Sequence, residues 1–358
     1  MVTIKEIAKA VGVSSATVSR VLNYDPALSI SPAKRQAIIE TAEALNYETP
    51  RNRNKANGHA APSLLTRLVI VHFLEPSDEI ADPYYVGVRL GIENRCRDLK
   101  TEIVKVFHSD ALPEAALLES ASGVIVIGKH SDNEIAWVEE HSRHVVFADF
   151  DPKSDHIDSV FSDVGLATRK ILDSLKSSGY GRIGFIGSHE SLNGGVQHFA
   201  ERRCAAYIEW QKKNGTFDPD LLALADCSSG QSLRLDTGYR LARDLLALAE
   251  RPDVIVTSND NMAIGTYRAL QEAGLAIPKD IAVISFNDIP VAQFLTPPLT
   301  TVRIHGEHIG ETAVDLLLER LSGRSYGKQV RIATELVWRE SCRKPLQSQG
   351  FSPPSQAQ

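Results

Sequence analysis

The sequence predicts an α/β fold in two parts: an N-terminal three-helix domain and a larger two-lobed body of parallel sheets flanked by helices. Two observations support this prediction. Residues 3–46 contain three short segments with helical spacing of apolar residues, whereas short apolar strands alternate with amphipathic helices from residue 66 onward. Such alternation is typical of parallel sheets that are covered on both faces. The 358 residues suffice for two or three domains.

The first predicted helix opens with Thr3 and Glu6, which have the spacing of a capping box. Ile7 and Val11 fall on its apolar face, and Gly12 is the kind of residue that ends a helix. The predicted helix is therefore short and amphipathic, with one face available for packing.

Two further helices follow in the same domain. Ser14 is the predicted N-cap of the segment SATVSRVLN, in which Val18 and Val21 face inward. Ser31 caps the third helix, and Pro32 takes its first position, where a missing N–H costs nothing. Because the tight turn VGVSS separates the first two helices, the pair is typical of a helix-turn-helix, whose second helix lies in the major groove of DNA.

The rest of the chain divides into a linker, a body and a tail. Residues 48–63 are polar and contain two prolines, which indicates a linker. The body forms two predicted lobes, roughly 66–160 and 161–290, before a C-terminal stretch crosses back. Its predicted strands are 68–73, 101–107, 123–128, 144–150, 182–187, 253–258 and 281–286, with helices at 86–99, 165–179 and 261–274. The predicted boundaries are 1–47 for the helical domain, 48–65 for the linker, 66–344 for the body and 345–358 for a disordered tail.

Charge and composition narrow the function classes. The net charge is −6, but residues 1–60 carry +3 and the remainder −9, which fits a small module that meets phosphates. No apolar run is long enough to span a membrane, and the start carries no signal peptide, so we expect a cytoplasmic protein. The four cysteines are not spaced as metal ligands. We expect reduced, buried thiols, with no metal and no cofactor.

The outer face of the second helix carries the predicted DNA contacts. Arg20 can donate two hydrogen bonds to guanine O6 and N7, which is the commonest specific base contact. Short polar side chains suit phosphates, which position a domain without reading sequence. The predicted phosphate contacts are Thr3, Ser14, Thr17, Ser19 and Asn23.

Residues 3–23, TIKEIAKAVGVSSATVSRVLN, resemble the signature of the lactose-repressor/galactose-repressor family. The likeness continues, in order, through DPYYVGVRLGIE (82–93), SNDNMAIG (258–265), PKDIAVISFND (278–288) and PPLTTVRIH (297–305). It implies a homodimer that places two recognition helices in successive major grooves of a near-palindromic, double-stranded operator. Ser15, Ala16 and Arg20 would then face base edges, with Ser15 and Ala16 as the pair that varies with operator sequence.

The linker departs from the family pattern. Family members fold a short hinge helix there and push a Leu into the minor groove, whereas this chain has Lys55 and Ala56 at that position. Arg51, Arg53 and Lys55 suit an anionic groove, but an apolar wedge is missing. We therefore expect the linker to contact DNA without strong kinking, and an unstructured spacer is the alternative.

The body resembles periplasmic sugar-binding proteins, which hold a ligand between two α/β lobes. Doubly wound sheets place ligands at the carboxyl ends of their strands. The polar residues that follow predicted strands are Asp149, Asn259, Asp260, Asn287 and Asp288. Single residues of this kind are also common as caps and in turns, which is the alternative for each of them.

Family positions narrow this set to an implied effector site. Carboxylate, guanidinium and amide groups match the hydroxyls of a sugar, and an aromatic ring matches its C–H face. Asn287 stands where several relatives have Asp, so the recognised hydroxyl pattern is expected to differ. The implied cleft residues are Asp149, Arg203, Asn259 and Asn287, with Tyr84 or Tyr85 from the other lobe.

The implied function is a DNA-binding repressor of a carbohydrate-utilisation operon, with operator affinity controlled by a small sugar. Three segments, DPYY, SFNDIP and PPLTTVRIH, most resemble repressors of a β-galactosidase operon within the family, and a galactoside is the expected effector. The alternatives are a non-sugar corepressor such as a nucleobase, or a sugar transport protein, which would need a signal peptide. An enzyme is not expected, because GSHESLNGG (187–195) lacks the Lys of a phosphate loop and no GxSxG or HExxH occurs.

Overall fold

The computed structural model describes residues 4–22, 30–44, 65–107, 114–192, 195–197, 201–225 and 234–345. The chain divides into two compact units between Ser63 and Leu64. Among the described helices, none has both the length and the apolar character required to cross a lipid bilayer.

The N-terminal unit contains helices α1 (Ile4–Val11), α2 (Ser15–Leu22) and α3 (Pro32–Ala44). Its core consists of side chains that are at most 1% exposed, namely Ile7, Val18, Val21 and Ile38. Ile7, Val18 and Val21 are thus buried as predicted from helical spacing, while Val11 is partly buried against the same cluster. The packing of α1 against α2 fixes which face of α2 remains on the surface.

The turn between α1 and α2 follows the predicted chemistry. Gly12 has a φ of 68°, a left-handed conformation that glycine adopts without strain. The Ser14 hydroxyl accepts a hydrogen bond from the Thr17 amide at 3.1 Å, and the Ser31 hydroxyl accepts one from the Lys34 amide at 3.4 Å. Both predicted serine caps are confirmed. The predicted capping box is untested, because Thr3 lies outside the described residues.

The first lobe of the body is built on a six-stranded sheet in the order β13-β5-β4-β3-β1-β2, with every neighbouring pair parallel. Both faces of its central strands are buried, which explains why they read as continuous apolar runs. The strands are β1 (Arg67–His72), β2 (Glu102–Phe107), β3 (Gly123–Ile127), β4 (Val145–Ala148), β5 (Asp158–Phe161) and β13 (Gln329–Arg331). The helices are α4 (Pro76–Ala81), α5 (Pro83–Leu99), α6 (Ala115–Glu119), α7 (Asp132–His141) and α12 (Gly306–Leu321).

The second lobe repeats this arrangement in the order β14-β12-β11-β10-β6-β9, and only β14 runs antiparallel to its neighbour. Its strands are β6 (Ile183–Ser188), β9 (Leu222–Ala225), β10 (Val254–Thr257), β11 (Ala282–Asn287), β12 (Thr300–Arg303) and β14 (Glu335–Val337). Its helices are α8 (Val164–Ser177), α9 (Arg202–Lys213), α10 (Leu235–Leu246) and α11 (Asp260–Glu272), with 3₁₀ turns at Pro219–Leu221 and Pro290–Phe294. Strands β7 (Glu190–Leu192) and β8 (Gly195–Gln197) form a separate hairpin.

The chain crosses between the lobes three times: from β5 to α8, from β12 to α12, and from β13 to β14. The predicted two-lobed α/β body with a returning C-terminal stretch is therefore correct. Strands β5, β9, β12, β13 and β14 were not among the predicted strands. The equally short β4 and β10 were predicted, because they contain runs of apolar β-branched residues.

The crossing helix α12 packs closely on α5. A Cβ atom at Gly310 would overlap the Val88 carbonyl, and one at Gly91 would overlap the Glu307 carbonyl, so both contacts depend on glycine. This packing positions the start of α5, which bears Tyr84 and Tyr85. The described cysteines, Cys96, Cys204 and Cys342, are free and buried as predicted, and Cys227 lies outside the described residues.

Candidate functional site

The carboxyl ends of strands from both lobes surround one cavity of about 420 Å³. In each sheet the strand that comes first in the chain lies between the next two: β1 between β2 and β3, and β6 between β9 and β10. This strand order opens a crevice at the carboxyl edge of the sheet. The structure brings all six predicted effector residues to this cavity: Tyr84, Tyr85, Asp149, Arg203, Asn259 and Asn287.

Arg203, in the first turn of α9, is the best-anchored cation of the cavity. Its Nε donates to Glu201 Oε1 at 2.9 Å, and an Nη donates to the Ser258 carbonyl at 2.6 Å. Glu201 is also the N-cap of α9, since its other oxygen accepts from the Arg203 and Cys204 amides at 3.0 and 3.1 Å. One buried carboxylate therefore fixes both the helix start and the guanidinium.

Asp149 faces the same cavity from the end of β4. Its backbone has a φ of 61°, so the strand stops at Ala148 instead of reaching the predicted 150. The Tyr84 hydroxyl donates to Asp149 Oδ1 at 2.8 Å. This left-handed residue costs conformational energy, and such residues concentrate at functional sites.

The two asparagines occupy the second lobe. Asn259 accepts from the Met262 amide at 2.9 Å and thus caps α11, while it also lines the cavity. Asn259 therefore caps a helix and lines the cavity at the same time. Asn287, at the end of β11, has a φ of 107°, which turns the chain out of the strand beside the cavity.

Two details of the predicted site need correction. Both tyrosines line the cavity, and they belong to the same lobe as Asp149, whereas Arg203, Asn259 and Asn287 come from the other lobe. The strand-end residues Asp260 and Asp288 do not line it. Asp260 instead accepts hydrogen bonds from Thr301 and from the Ile289 amide, and Asp288 pairs with Arg303 and Arg339.

Several cavity residues escaped the sequence analysis. They are Asp82, Lys129, Asp132, Asp151, Phe161, Glu201 and Arg202. Lys129 follows β3 closely and could have been found with the strand-end criterion. Glu201 and Arg202 carried no such signal, because their segment follows the β7–β8 hairpin and not a sheet strand.

Burial dominates the electrostatics of the cavity. It raises the pKa of Asp149, and it raises the pKa of Asp82 to about 6, with Asp149 contributing by charge repulsion. Glu201 behaves in the opposite way: burial opposes ionisation, but Arg203 and Lys129 outweigh it and lower the pKa. The cavity thus combines a fixed ion pair with two carboxyl groups that resist ionisation. No cluster suited to a metal ion occurs among the described residues.

The second candidate site is the outer face of α2. Ser15, Ala16 and Arg20 are exposed there, as the DNA-reading role requires. The Ser14 and Thr17 hydroxyls lie 2.8 Å apart and hydrogen bond to each other, and Ser19 is partly exposed on the same helix. The other predicted DNA contacts lie outside the described residues: Thr3, Asn23, Arg51, Arg53 and Lys55.

Comparison with known sequences gives two family matches. Residues 3–50 match the profile of bacterial regulatory proteins, lacI family, and residues 172–342 match that of a periplasmic binding protein-like domain. The chain is 36% identical to the HTH-type transcriptional repressor MelR of Bacillus subtilis (strain 168) over 348 residues, which cover 96% of this chain and 98% of the relative. Over 113 residues, 32% of this chain and 100% of the relative, it is 69% identical to the lactose operon repressor of Rhizobium radiobacter.

A solved structure supports the fold. The transcriptional regulator CelR–cellobiose complex superposes with a TM-score of 0.65 at 23% sequence identity, covering 95% of this chain and 100% of that chain. At this identity, the likeness shows the fold alone.

Proposed function

The chain belongs to the lacI family of bacterial transcription regulators, and we propose that it represses a carbohydrate-utilisation operon under the control of a sugar bound between its lobes. The observation that carries this proposal is the convergence of six residues from distant segments on one polar cavity. The expected site of action is the cytoplasm, where operator DNA is available.

On the DNA side, the proposal assigns α2 to the major groove. Ser15 and Ala16 are small and exposed, so base edges can approach the helix closely, and the Arg20 guanidinium provides two parallel donors for a guanine. The proposed phosphate contacts are Ser14, Thr17 and Ser19, together with Thr3, Asn23, Arg51, Arg53 and Lys55. A homodimer would present two such helices to the two halves of the operator.

On the effector side, the proposed ligand is a galactoside. Asp149 accepts hydrogen bonds, Arg203 donates from a fixed position, and Asn259 and Asn287 carry groups of both kinds, which suits neighbouring hydroxyls. The Tyr84 and Tyr85 rings lie 5.0 Å apart and bring aromatic surface to the cavity. A ligand of this kind changes operator affinity only if it prefers one arrangement of the two lobes.

The proposal is tested by titrating operator binding with sugars. We expect a galactoside to raise the melting temperature, because it binds the folded state, and to weaken operator binding by about 5- to 150-fold. Asp149→Asn should lose this response and keep basal operator affinity, whereas Asp155→Asn, an exposed carboxylate further along the same loop, should behave as wild type. Tighter operator binding on saturation would make the ligand a corepressor. Sequence-independent DNA binding with every metabolite would refute the proposal.

A further inference from the structure

The lining of the cavity separates into two groups, and the proposed function uses only the first. The first group contains the strand-end residues and tyrosines described above. The second group contains other charged lining residues, some of which lie within two positions of Asp149 or Arg203 in the chain. Its members are Lys129, Asp132, Asp151, Lys153 and Arg202.

Arg202 and Asp151 join the two lobes at the cavity. The Arg202 Nη2 lies 3.5 Å from Asp151 Oδ2, and its guanidinium carbon lies 5.6 Å from the centre of the Phe161 ring. The arginine side chain is 41% exposed, so a ligand can reach it from the cavity. A polar pair beside an aromatic face is suited to a second sugar ring, which also has hydroxyl edges and C–H faces.

The charge of the lining disfavours an anionic ligand. Five carboxyl groups and four cations line the cavity, and both arginines are already paired with carboxylates, Arg203 with Glu201 and Arg202 with Asp151. Lys129 is engaged as well, since its charge opposes the rise of the Asp149 pKa and helps to lower the pKa of Glu201. The fourth cation, Lys153, is exposed to solvent. Burial, which raises the pKa of Asp149, would also penalise a phosphate dianion placed in the same cavity.

Helix N-termini, the usual backbone sites for phosphate, are occupied as well. Helices α5, α7, α8, α9 and α11 all begin beside the cavity. At each helix start, a side chain of the same segment accepts a hydrogen bond from a backbone amide of the first turn. Three of the five capping side chains are carboxylates. The caps are Asp82, Ser131, Asp163, Glu201 and Asn259. Each cap thus uses one or two of the backbone amides that a phosphate would otherwise bind, and the three carboxylate caps would repel it.

We propose that the effector is an uncharged glycoside of two sugar units, whose second unit binds against Asp132, Asp151 and Arg202, and that phosphorylated sugars are rejected. This inference rests on the proposed function and specifies the ligand class of the same cavity. The first unit occupies the strand-end residues, and the second binds beside the Arg202–Asp151 pair.

The test measures binding to the full-length chain by calorimetry, with four probes: lactose, melibiose, galactose and galactose 6-phosphate. We expect at least one disaccharide to bind about tenfold or more tightly than galactose, a difference of about 1.4 kcal/mol, and no binding of the phosphate. The inference is wrong if galactose binds as tightly as both disaccharides, or if galactose 6-phosphate binds most tightly. The proposed function would still stand if those ligands released the operator. If no probe binds or releases the operator, both fail.

A pair of variants locates the second unit. Asp151→Asn should weaken disaccharide binding about tenfold or more, the loss of roughly one hydrogen bond to a charged group, and leave galactose binding unchanged. Asp155→Asn lies in the same loop, exposed and away from the cavity lining, and should change neither affinity. An equal loss for both ligands in Asp151→Asn would mean that Asp151 supports the site as a whole and would overturn the assignment of a second unit.

Discussion

The proposed DNA-reading helix and the effector cavity present their polar groups in opposite ways. On α2, Ser15, Ala16 and Arg20 are exposed on an amphipathic helix whose other face packs against α1. In the cavity, Arg203 and Asn259 have little exposure and are already hydrogen bonded within their own lobe. The helix presents exposed groups, whereas the cavity presents buried groups whose orientation is fixed by hydrogen bonds.

This difference predicts which substitutions alter function without altering stability. Substitutions on the exposed face of α2 should alter DNA binding with little effect on folding. Substitution of Glu201, Arg203 or Asn259 should alter both, because these side chains also cap a helix or complete an ion pair.

The largest expected effect comes from breaking the buried pair of Glu201 and Arg203. Glu201→Gln keeps an acceptor for the α9 amides but removes the charge, so the free energy of unfolding of the body should fall by about 3–5 kcal/mol. Denaturant unfolding of the full chain measures this loss. Glu209→Gln, a 75% exposed carboxylate on the same helix, is the matched control. If both variants lost the same free energy of unfolding, burial of the Glu201–Arg203 pair would not explain the loss.

The next effect is a pH dependence from Asp82. In the folded chain the pKa of Asp82 is raised from 3.8 to about 6, so with rising pH this carboxyl group ionises first in the unfolded chain. The stability that protonated Asp82 contributes to the fold is therefore lost as pH rises through that interval. The loss is at most about 3 kcal/mol for a shift of this size. The free energy of unfolding should therefore fall less between pH 4 and pH 6 in Asp82→Asn than in the wild type. Asp98→Asn, exposed near the end of the same helix, should keep the wild-type pH profile, and an unchanged profile in Asp82→Asn would contradict the assignment.

Arg20→Ala tests the exposed side of the comparison. We expect the variant to lose about 1–3 kcal/mol of operator binding free energy and to lose discrimination at one base position. The reason is that a bidentate contact distinguishes the correct base from the others. Binding to a panel of operator variants measures it, while the melting temperature and effector affinity should stay unchanged. A uniform loss on every operator would make Arg20 a phosphate contact.

The smallest expected effect concerns the start of α2. Ser14→Ala removes the acceptor of the Thr17 amide and should lower the stability of the N-terminal unit by about 1 kcal/mol. Ser14→Asp should restore it, and Ser15→Ala at the next, exposed position should stay within about 0.5 kcal/mol of the wild type. Thermal unfolding followed by helical circular dichroism measures the three variants, and a neutral Ser14→Ala would show that the cap does not stabilise the helix.

Much of the fold was predictable from local patterns. The serine caps, Gly12 and the apolar spacing of α1 and α2 each act within one turn of a helix, so adjacent sequence contains the information. The cavity residues Asp149, Asn259 and Asn287 were also predictable, because the carboxyl edge of a parallel sheet is a general binding position. Their roles in binding an effector stay predictions.

The sequence by itself determined the helix-turn-helix, the alternation of strands and helices, and the polar residues at strand ends, because these depend on neighbours within a few positions. Only the tertiary structure decided that Glu201 fixes Arg203, that Asp260 turns into the core, and that Arg202 meets Asp151 across the lobes. These pairings depend on where three crossings of the chain bring the two sheets together, and no local spacing encodes that geometry.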